Sequence, residues 1–336
     1  MKGRWYEFLE ELWYGKHPAR AVLAPLGWLY RGIARLRRAI FATGLLGVYR
    51  APVPVIVVGN ITVGGTGKTP LVIWLARRLR DYGFRPGIVA RGYRGRARSW
   101  PQQVRVDSDP VAVGDEAVVI ARRTQMPLAV GPNRGEDIRA LLRHSDVNII
   151  LCDDGLQHYA LARDIEIAVI DGVRRTGNGA CLPAGPLREP PARLTEVDLV
   201  VTNGLAGRGE FAMRCIVEIA RRVTAPRTSR ALADFAAGPV HAVAGIGNPE
   251  NFFSALKRQG VHLIPHAFPD HHDFSPADFA FGDGAPVLMT QKDAVKCEHF
   301  ADDRFWYVPL EVELPEVFER RLKTLLKKVI DGQEAA

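Results

Sequence analysis

VPVIVVGNITVGGTGKTP, residues 53–70, is the stretch whose reading decides the fold. It begins as an apolar, β-branched run of strand length, the composition of a strand buried on both faces. Gly64, Gly65, Thr66 and Gly67 follow as a glycine-rich loop that ends in Lys68 and Thr69. A helix is expected from about Pro70 to Tyr82, with proline in its first turn and Gly83 just past its end. Strand, glycine-rich turn and helix in this order point backbone N–H groups and a helix N-terminus at phosphate oxygens. Lys68 then reaches the β- and γ-phosphates, and the Thr69 hydroxyl holds Mg²⁺. The usual spacing wants glycine at position 62, where this chain has Thr62 and supplies Gly59, Gly64 and Gly65 instead. That leaves the loop's shape open but not its Gly-Lys-Thr tip, so nucleoside triphosphate binding is the expectation.

Outward from this stretch, strand-like and helix-like segments alternate. Strands are expected at 86–90, 127–130, 147–152, 165–170, 197–202, 240–245, 286–290 and 306–309, and helices at 115–124, 134–143, 249–259, 276–280 and 315–331. Such alternation predicts an α/β fold with a mostly parallel, P-loop NTPase-like sheet. A polar, arginine-rich stretch near 218–238 precedes a fresh strand–loop–helix unit, VHAVAGIGNPE at 240–250. The expected organisation is an N-terminal segment over 1–49, a P-loop lobe over 50–230 and a smaller α/β lobe over 231–336.

Two groups of carboxylates stand out. The strand before Asp153 and Asp154 is apolar, and an acid at the C-terminal end of a sheet strand beside a P-loop helps to hold Mg²⁺, directly or through water. Gln157 and His158 follow at once. Asp115 and Glu116 open a helix, whose positive end favours their ionised form. The alternative reading of Asp115 is a plain helix cap.

Asp270-His271-His272-Asp273 places two histidines between two aspartates. The cluster fits an acid–base relay, a satisfied loop or, with no cysteine nearby, less readily a metal site. Thr290-Gln291-Lys292-Asp293 mimics the base-reading motif of GTPases, but Asp153-Asp154-Gly155 lacks the DxxG spacing that a GTPase also needs.

Upstream of the P-loop, residues 20–49 read as an amphipathic helix. At 100° per residue Leu29, Ile33, Leu36 and Ile40 share an arc of about 60°, with Arg31, Arg35 and Arg38 opposite. Trp5, Trp13 and Trp28 lie nearby. A basic amphipathic helix with tryptophan is the pattern of a segment lying in an anionic membrane interface; the alternative is a helix docked on the protein's own core.

The whole chain has 336 residues and a net charge of +8, of which residues 1–50 contribute +6. The nearly neutral remainder argues against nucleic acid as a partner and favours a local basic element meeting an anionic surface. Hydrophobic residues at 47% and charged residues at 24% are ordinary globular values. The four cysteines are scattered without a CxxC pair, which fits a reduced, cytoplasmic compartment better than a disulfide framework. Neither a signal peptide nor a membrane-spanning run is expected.

Taken in order, GNITVGGTGKTP (59–70), ARGYRG (90–95), GDEA (114–117), LCDDGLQH (151–158), DGVRRTGNGACLPAGPLREP (171–190), AGIGNPENFF (244–253), FPDHHDF (268–274) and TQKDAVK (290–296) resemble the tetraacyldisaccharide 4′-kinase family along nearly the whole chain. The resemblance implies transfer of the ATP γ-phosphate to the 4′-hydroxyl of tetraacyldisaccharide 1-phosphate, a step of lipid A biosynthesis. It also implies a two-lobed P-loop fold attached peripherally, by its N-terminal helix, to the cytoplasmic face of the bacterial inner membrane. Position by position, it implies Lys68 and Thr69 as the P-loop pair, Asp115 as catalytic aspartate and His271, rather than His272, as its partner. Glu116, Asp153 and Asp154 fall around the metal, Gln157 and His158 around the substrate, and Arg188 and Glu189 in an active-site GPLRE segment. A nucleotide-hydrolysing switch and a membrane-docked adaptor without turnover are the rival readings; the second leaves Asp115, Asp154 and His271 without a role.

Overall fold

Strand Val55–Gly59 stands near the middle of a parallel sheet, buried along its whole length. In the computed structural model, which describes the backbone of residues 2–334 and the side chains of residues 7–332, seven neighbouring strands of this sheet are parallel. Their order is Phe211–Ile216, Leu199–Asn203, Ile165–Asp171, Val55–Gly59, Ile149–Cys152, Pro86–Ala90 and Leu128–Val130. The register sets Val57 beside Cys152 on one flank and Glu166 on the other, so the P-loop strand and the strand leading to Asp153 end side by side. Ligands of open α/β sheets bind beyond such carboxyl ends.

The chain divides into two units. The first gathers the chain up to Arg91, Met126–Arg214 and the chain from Leu314. Helix Lys68–Asp81 covers its sheet with Leu71, Val72, Leu75, Ala76 and Leu79. Helix Glu316–Glu334 adds Phe318, Leu322 and Leu326, with the Phe318 ring edge-on to Trp74 and Phe211. The second unit comprises Gly92–Gln125 and Cys215–Glu313. Its sheet runs Ser229–Ala231, Ile219–Arg222, Phe305–Val308, Val287–Thr290, Pro239–Ala244 and His262–Ala267. The last four strands are parallel and the first two add an antiparallel edge. Phe253 and Leu256 of helix Pro249–Arg258 are buried in its core.

This division differs from the expected one. The arginine-rich stretch near 218–238 is no linker, because Ile219–Arg222 and Ser229–Ala231 pair there as strands of the second unit. Residues 92–125 also join that unit, and the last helix returns to the first.

The N-terminal segment holds helices Lys2–Tyr14 and Ala19–Ala42. The second helix stops short of the expected residue 49, because Gly44 adopts a positive φ of 76° just beyond it, a left-handed turn that ends helices. Gly27 seats the helix: a side chain there would stand 3.0 Å from the Cys181 carbonyl. Leu29, Ile33 and Leu36 are exposed, Ile33 at 58%, rather than packed on the core, and Trp28 is 71% exposed. No described helix is long and apolar enough to cross a membrane. The side chains of Lys2, Arg4 and Trp5 lie outside the described residues.

Candidate active site

In the first unit the phosphate loop leaves the sheet at Gly59, where any side chain would run into Leu156 at 2.7 Å. Gly64 and Gly67 take φ values of 100° and 97°, a left-handed backbone that glycine adopts without strain. Gly67 caps helix Lys68–Asp81. The first N–H groups of such a helix have no partners within it and face outward. Two neighbours brace the loop. Asn60 and Asn203 donate from Nδ2 to the carbonyls of Gly64 and Thr66, each at 3.4 Å. The GPLRE segment lies along the other side, with Val63 N donating to Pro186 O at 2.9 Å and Arg188 N to Ile61 O at 2.7 Å. Thr66 Oγ1 is buried without a hydrogen-bond partner among the described residues, an orphaned donor at the loop's tip that an added phosphate oxygen would satisfy.

Asp154 answers this loop. Its carboxylate lies 3.5 Å from Lys68 Nζ and 3.3 Å from Arg188 Nη1. Burial alone would raise its pKa, but the Lys68 and Arg188 cations outweigh burial and hold it below the usual carboxylate value. Its backbone is left-handed, with φ of 50°. Asp153 is buried at the strand end, its N–H donating to Val89 O at 2.8 Å.

Gln157, His158, Arg188 and Glu189 line one cavity of about 520 Å³ together with Asp154. Gln157 Nε2 donates to Asn60 O at 2.9 Å and to Glu189 Oε1 at 2.6 Å, which ties the cavity wall to the start of the phosphate loop. Glu189 is buried and also accepts from the Tyr159 hydroxyl. His158 is pushed down to about 4, first by burial and then by arginines that include Arg134 and Arg37, so its ring is neutral at neutral pH. Sequence reasoning missed three arginines of this wall. Arg91 and Arg37 line it, and so does Arg134, a buried arginine that donates to Ala90 O at 3.0 Å and Gly131 O at 2.7 Å. Arg91 lay within a motif already in view, ARGYRG; Arg134 carries no local signal.

The second unit carries the other set. Asp115 is the first residue of helix Asp115–Thr124, and Gly114, not Asp115, occupies the cap position. Asp115 Oδ2 lies 2.9 Å from His271 Nδ1, and both side chains are buried. Asp115 Oδ1 accepts from Glu116 N at 2.8 Å. Burial works to raise the Asp115 pKa, but the His271 hydrogen bond and the Lys292 cation prevail and lower it. His271 has a positive φ of 60°, its N–H donates to Gly245 O at 3.1 Å, and its ring tilts against Tyr93 at 5.2 Å. His272 turns elsewhere, toward Asp278 at 3.3 Å, among Phe268 and Phe274.

The Glu116 carboxylate accepts from Lys292 Nζ at 3.1 Å. The likeness of 290–293 to a base-reading motif fails: Asp293 is fully buried, and its Oδ2 accepts from Gly245 N at 2.9 Å and from the Thr290 hydroxyl at 2.7 Å.

Comparison with known proteins supplies the context. Residues 19–327 match the family model described as tetraacyldisaccharide-1-P 4′-kinase. A tetraacyldisaccharide 4′-kinase of Nitrosococcus oceani is 55% identical over 316 residues, covering 94% of this chain and 93% of its own length. One from Methylobacillus flagellatus is 47% identical over 332 residues, covering 98% of each. Among solved structures, LpxK from Aquifex aeolicus in complex with ATP superposes with a TM-score of 0.78 at 28% identity, covering 92% of this chain and 99% of that one.

Proposed function

The chain belongs to the tetraacyldisaccharide-1-P 4′-kinase family, and from that premise we infer that it transfers the γ-phosphoryl group of ATP to the 4′-hydroxyl of a tetraacyldisaccharide 1-phosphate. The observation that carries the inference is Asp154, faced by both Lys68 and Arg188 at the mouth of the phosphate loop. Phosphoryl transfer needs little covalent help from a protein; it needs aligned groups and neutralised charge.

Lys68 and the loop's N–H groups bind the β- and γ-phosphates. Arg188 serves the charge on the transferring group or on the sugar acceptor. Thr69, Asp153 and Asp154 offer the hard oxygen donors that suit Mg²⁺, which when bound supplies further neutralisation of phosphate charge. The acceptor hydroxyl is a poor nucleophile at neutral pH, so its proton must leave as its oxygen attacks phosphorus. Asp115, kept ionised by His271 and Lys292, accepts that proton, and ADP departs with the electron pair of the broken P–O bond. Gln157, His158 and Glu189 shape the cavity that receives the sugar.

The acceptor is a lipid, and the exposed apolar row Leu29, Ile33 and Leu36 with Arg31 and Arg35 on helix Ala19–Ala42 suits a docking element on an anionic leaflet. On this reading the enzyme works as a peripheral protein at the cytoplasmic face of the inner membrane. Incubation with γ-labelled ATP and the lipid acceptor tests the function: label enters the lipid. Label released only as inorganic phosphate would instead identify a hydrolytic switch, and no release of label would identify an adaptor.

A further inference from the structure

Lys292 joins the second unit's catalytic pair without having been read as part of any site. It lies on helix Gln291–Cys297, which Thr290 caps by accepting from Asp293 N, just past the end of strand Val287–Thr290. Its ammonium is mostly buried and has three neighbours: Glu116 Oε1 at 3.1 Å, Asp270 Oδ1 at 3.4 Å and His271 Nε2 at 3.1 Å. An ammonium has three N–H donors and no acceptor, so these contacts use its full capacity. The helix holds the surrounding loop too, because Lys296 Nζ donates to His272 O and to Asp293 Oδ1, both at 2.9 Å.

The consequence falls on the imidazole. A neutral histidine carries one N–H, and the partner of one ring nitrogen decides which nitrogen bears it. Lysine can only donate, so His271 Nε2 must accept, and the ring proton must sit on Nδ1. There it points at Asp115 Oδ2, 2.9 Å away. We propose that Lys292 is a positioning residue that occupies His271 Nε2 and, together with the carboxylate that accepts at Nδ1, locks the ring in its singly protonated Nδ1–H form, so that the imidazole donates to Asp115 and leaves the carboxylate as the sole proton acceptor of the pair. The proposal rests on the kinase reading for its kinetic consequence only; the tautomer itself is a property of the resting protein. It also narrows the relay expected from sequence: with Nε2 engaged by an ammonium and Nδ1 already protonated, the ring orients Asp115 and has no free nitrogen with which to take its proton.

The test uses the full chain with ¹⁵N-labelled histidine, the His271 ring signals being assigned by their loss in His271→Gln. The wild-type ring is expected to show a protonated Nδ1 and an unprotonated, hydrogen-bonded Nε2. In Lys292→Met the Asp115 carboxylate should still hold Nδ1–H, but Nε2 should lose its hydrogen bond and lie open to a second proton, with kcat reduced roughly tenfold or more and KM for ATP nearly unchanged. Lys292→Arg, which still donates, should restore the hydrogen-bonded, unprotonated Nε2 and most of kcat. A wild-type ring protonated on Nε2 would overturn the proposal, as would an Nε2 signal unchanged in Lys292→Met, or an altered Nε2 with unchanged kcat. Should the Met variant fail to fold, the wild-type and Arg spectra still decide. Because the spectra need no substrate, a wild-type protein without lipid kinase activity would count against the proposed function and leave the tautomer assignment intact.

Discussion

Asp115 Oδ2 and His271 Nδ1 meet at 2.9 Å, although 156 positions of chain separate the two residues. The contact joins the N-terminus of a helix to a loop whose backbone at His271 is left-handed. On the proposed mechanism the two groups act as one device. Asp115→Ala and His271→Ala are each expected to lower kcat by about 10²-fold or more. The double variant should cost little more than the worse single one, since the second change removes a partner already disabled. Fully multiplicative losses in steady-state kinetics would show two independent groups.

Lys68→Ala is expected to cut kcat by about 10²–10³-fold, the scale of removing one group that stabilises transition-state charge. Its partner Asp154 retains Arg188 at 3.3 Å, so the fold should survive. Thermal melts alongside kinetics check both halves; near-wild-type turnover would remove Lys68 from the phosphate site.

The helix Ala19–Ala42 gives a binding prediction. Each basic residue near an anionic leaflet contributes about 1 kcal/mol. Arg31→Glu with Arg35→Glu replaces two attractions by two repulsions, so flotation with anionic liposomes should weaken roughly a thousandfold at low salt. Salt should weaken the wild type in the same direction. Ile33 is 58% exposed, so Ile33→Glu should impair flotation while leaving the melting temperature nearly unchanged. Unfolding of Ile33→Glu together with unchanged flotation of the double reversal would return the helix to the protein's core.

Glu210 sets an acid limit on stability. Arg175 holds it in a two-pronged pair at 2.7 and 2.5 Å, and Thr202 Oγ1 and Gly207 N each donate to it at 2.6 Å. Arg175 above all lowers its pKa from 4.5 to about 2. A folded-state value below the unfolded one means stabilisation that is complete above about pH 4.5 and lost as pH falls toward 2. Glu210→Gln should therefore flatten the decline of the melting temperature over that window. An unaltered slope would show that the pair does not govern acid stability.

Phe318 is fully buried, 5.8 Å from the Trp74 ring and 5.3 Å from that of Phe211. Phe318→Ala should destabilise the first unit by about 3–5 kcal/mol, read from denaturant unfolding followed by tryptophan fluorescence. A loss below about 1 kcal/mol would mean that the site collapses around the cavity.

The sequence made some of this legible and concealed the rest for physical reasons. The phosphate loop was readable because its chemistry is local: glycines, a lysine and a threonine act within one turn. Asp115 and His271 could be named from motifs, but their contact could not, since it depends on packing across 156 positions. Lys292 was hidden by a misleading likeness, because a TxKD pattern says nothing of where its lysine points. The strands at 219–222 and 229–231 were read as a boundary, because their arginines mask the alternation by which edge strands are recognised. Arg134 gave no sign at all: a buried arginine that braces carbonyls looks like any surface arginine until the fold encloses it.

The path of the chain sets a timetable for its synthesis. Residues 92–125 and 215–313 are both spent on the second unit before Phe318, Leu322 and Leu326 emerge. A nascent chain on the ribosome therefore carries a phosphate loop whose sheet still lacks its last helix, and Trp74 and Phe211 go without their Phe318 partner until that residue is made. Growing chains with uncovered apolar surface are the ones that aggregate or engage chaperones. The first unit's apolar surface is thus completed late in translation, and a pause placed before residue 314 would lengthen its exposure.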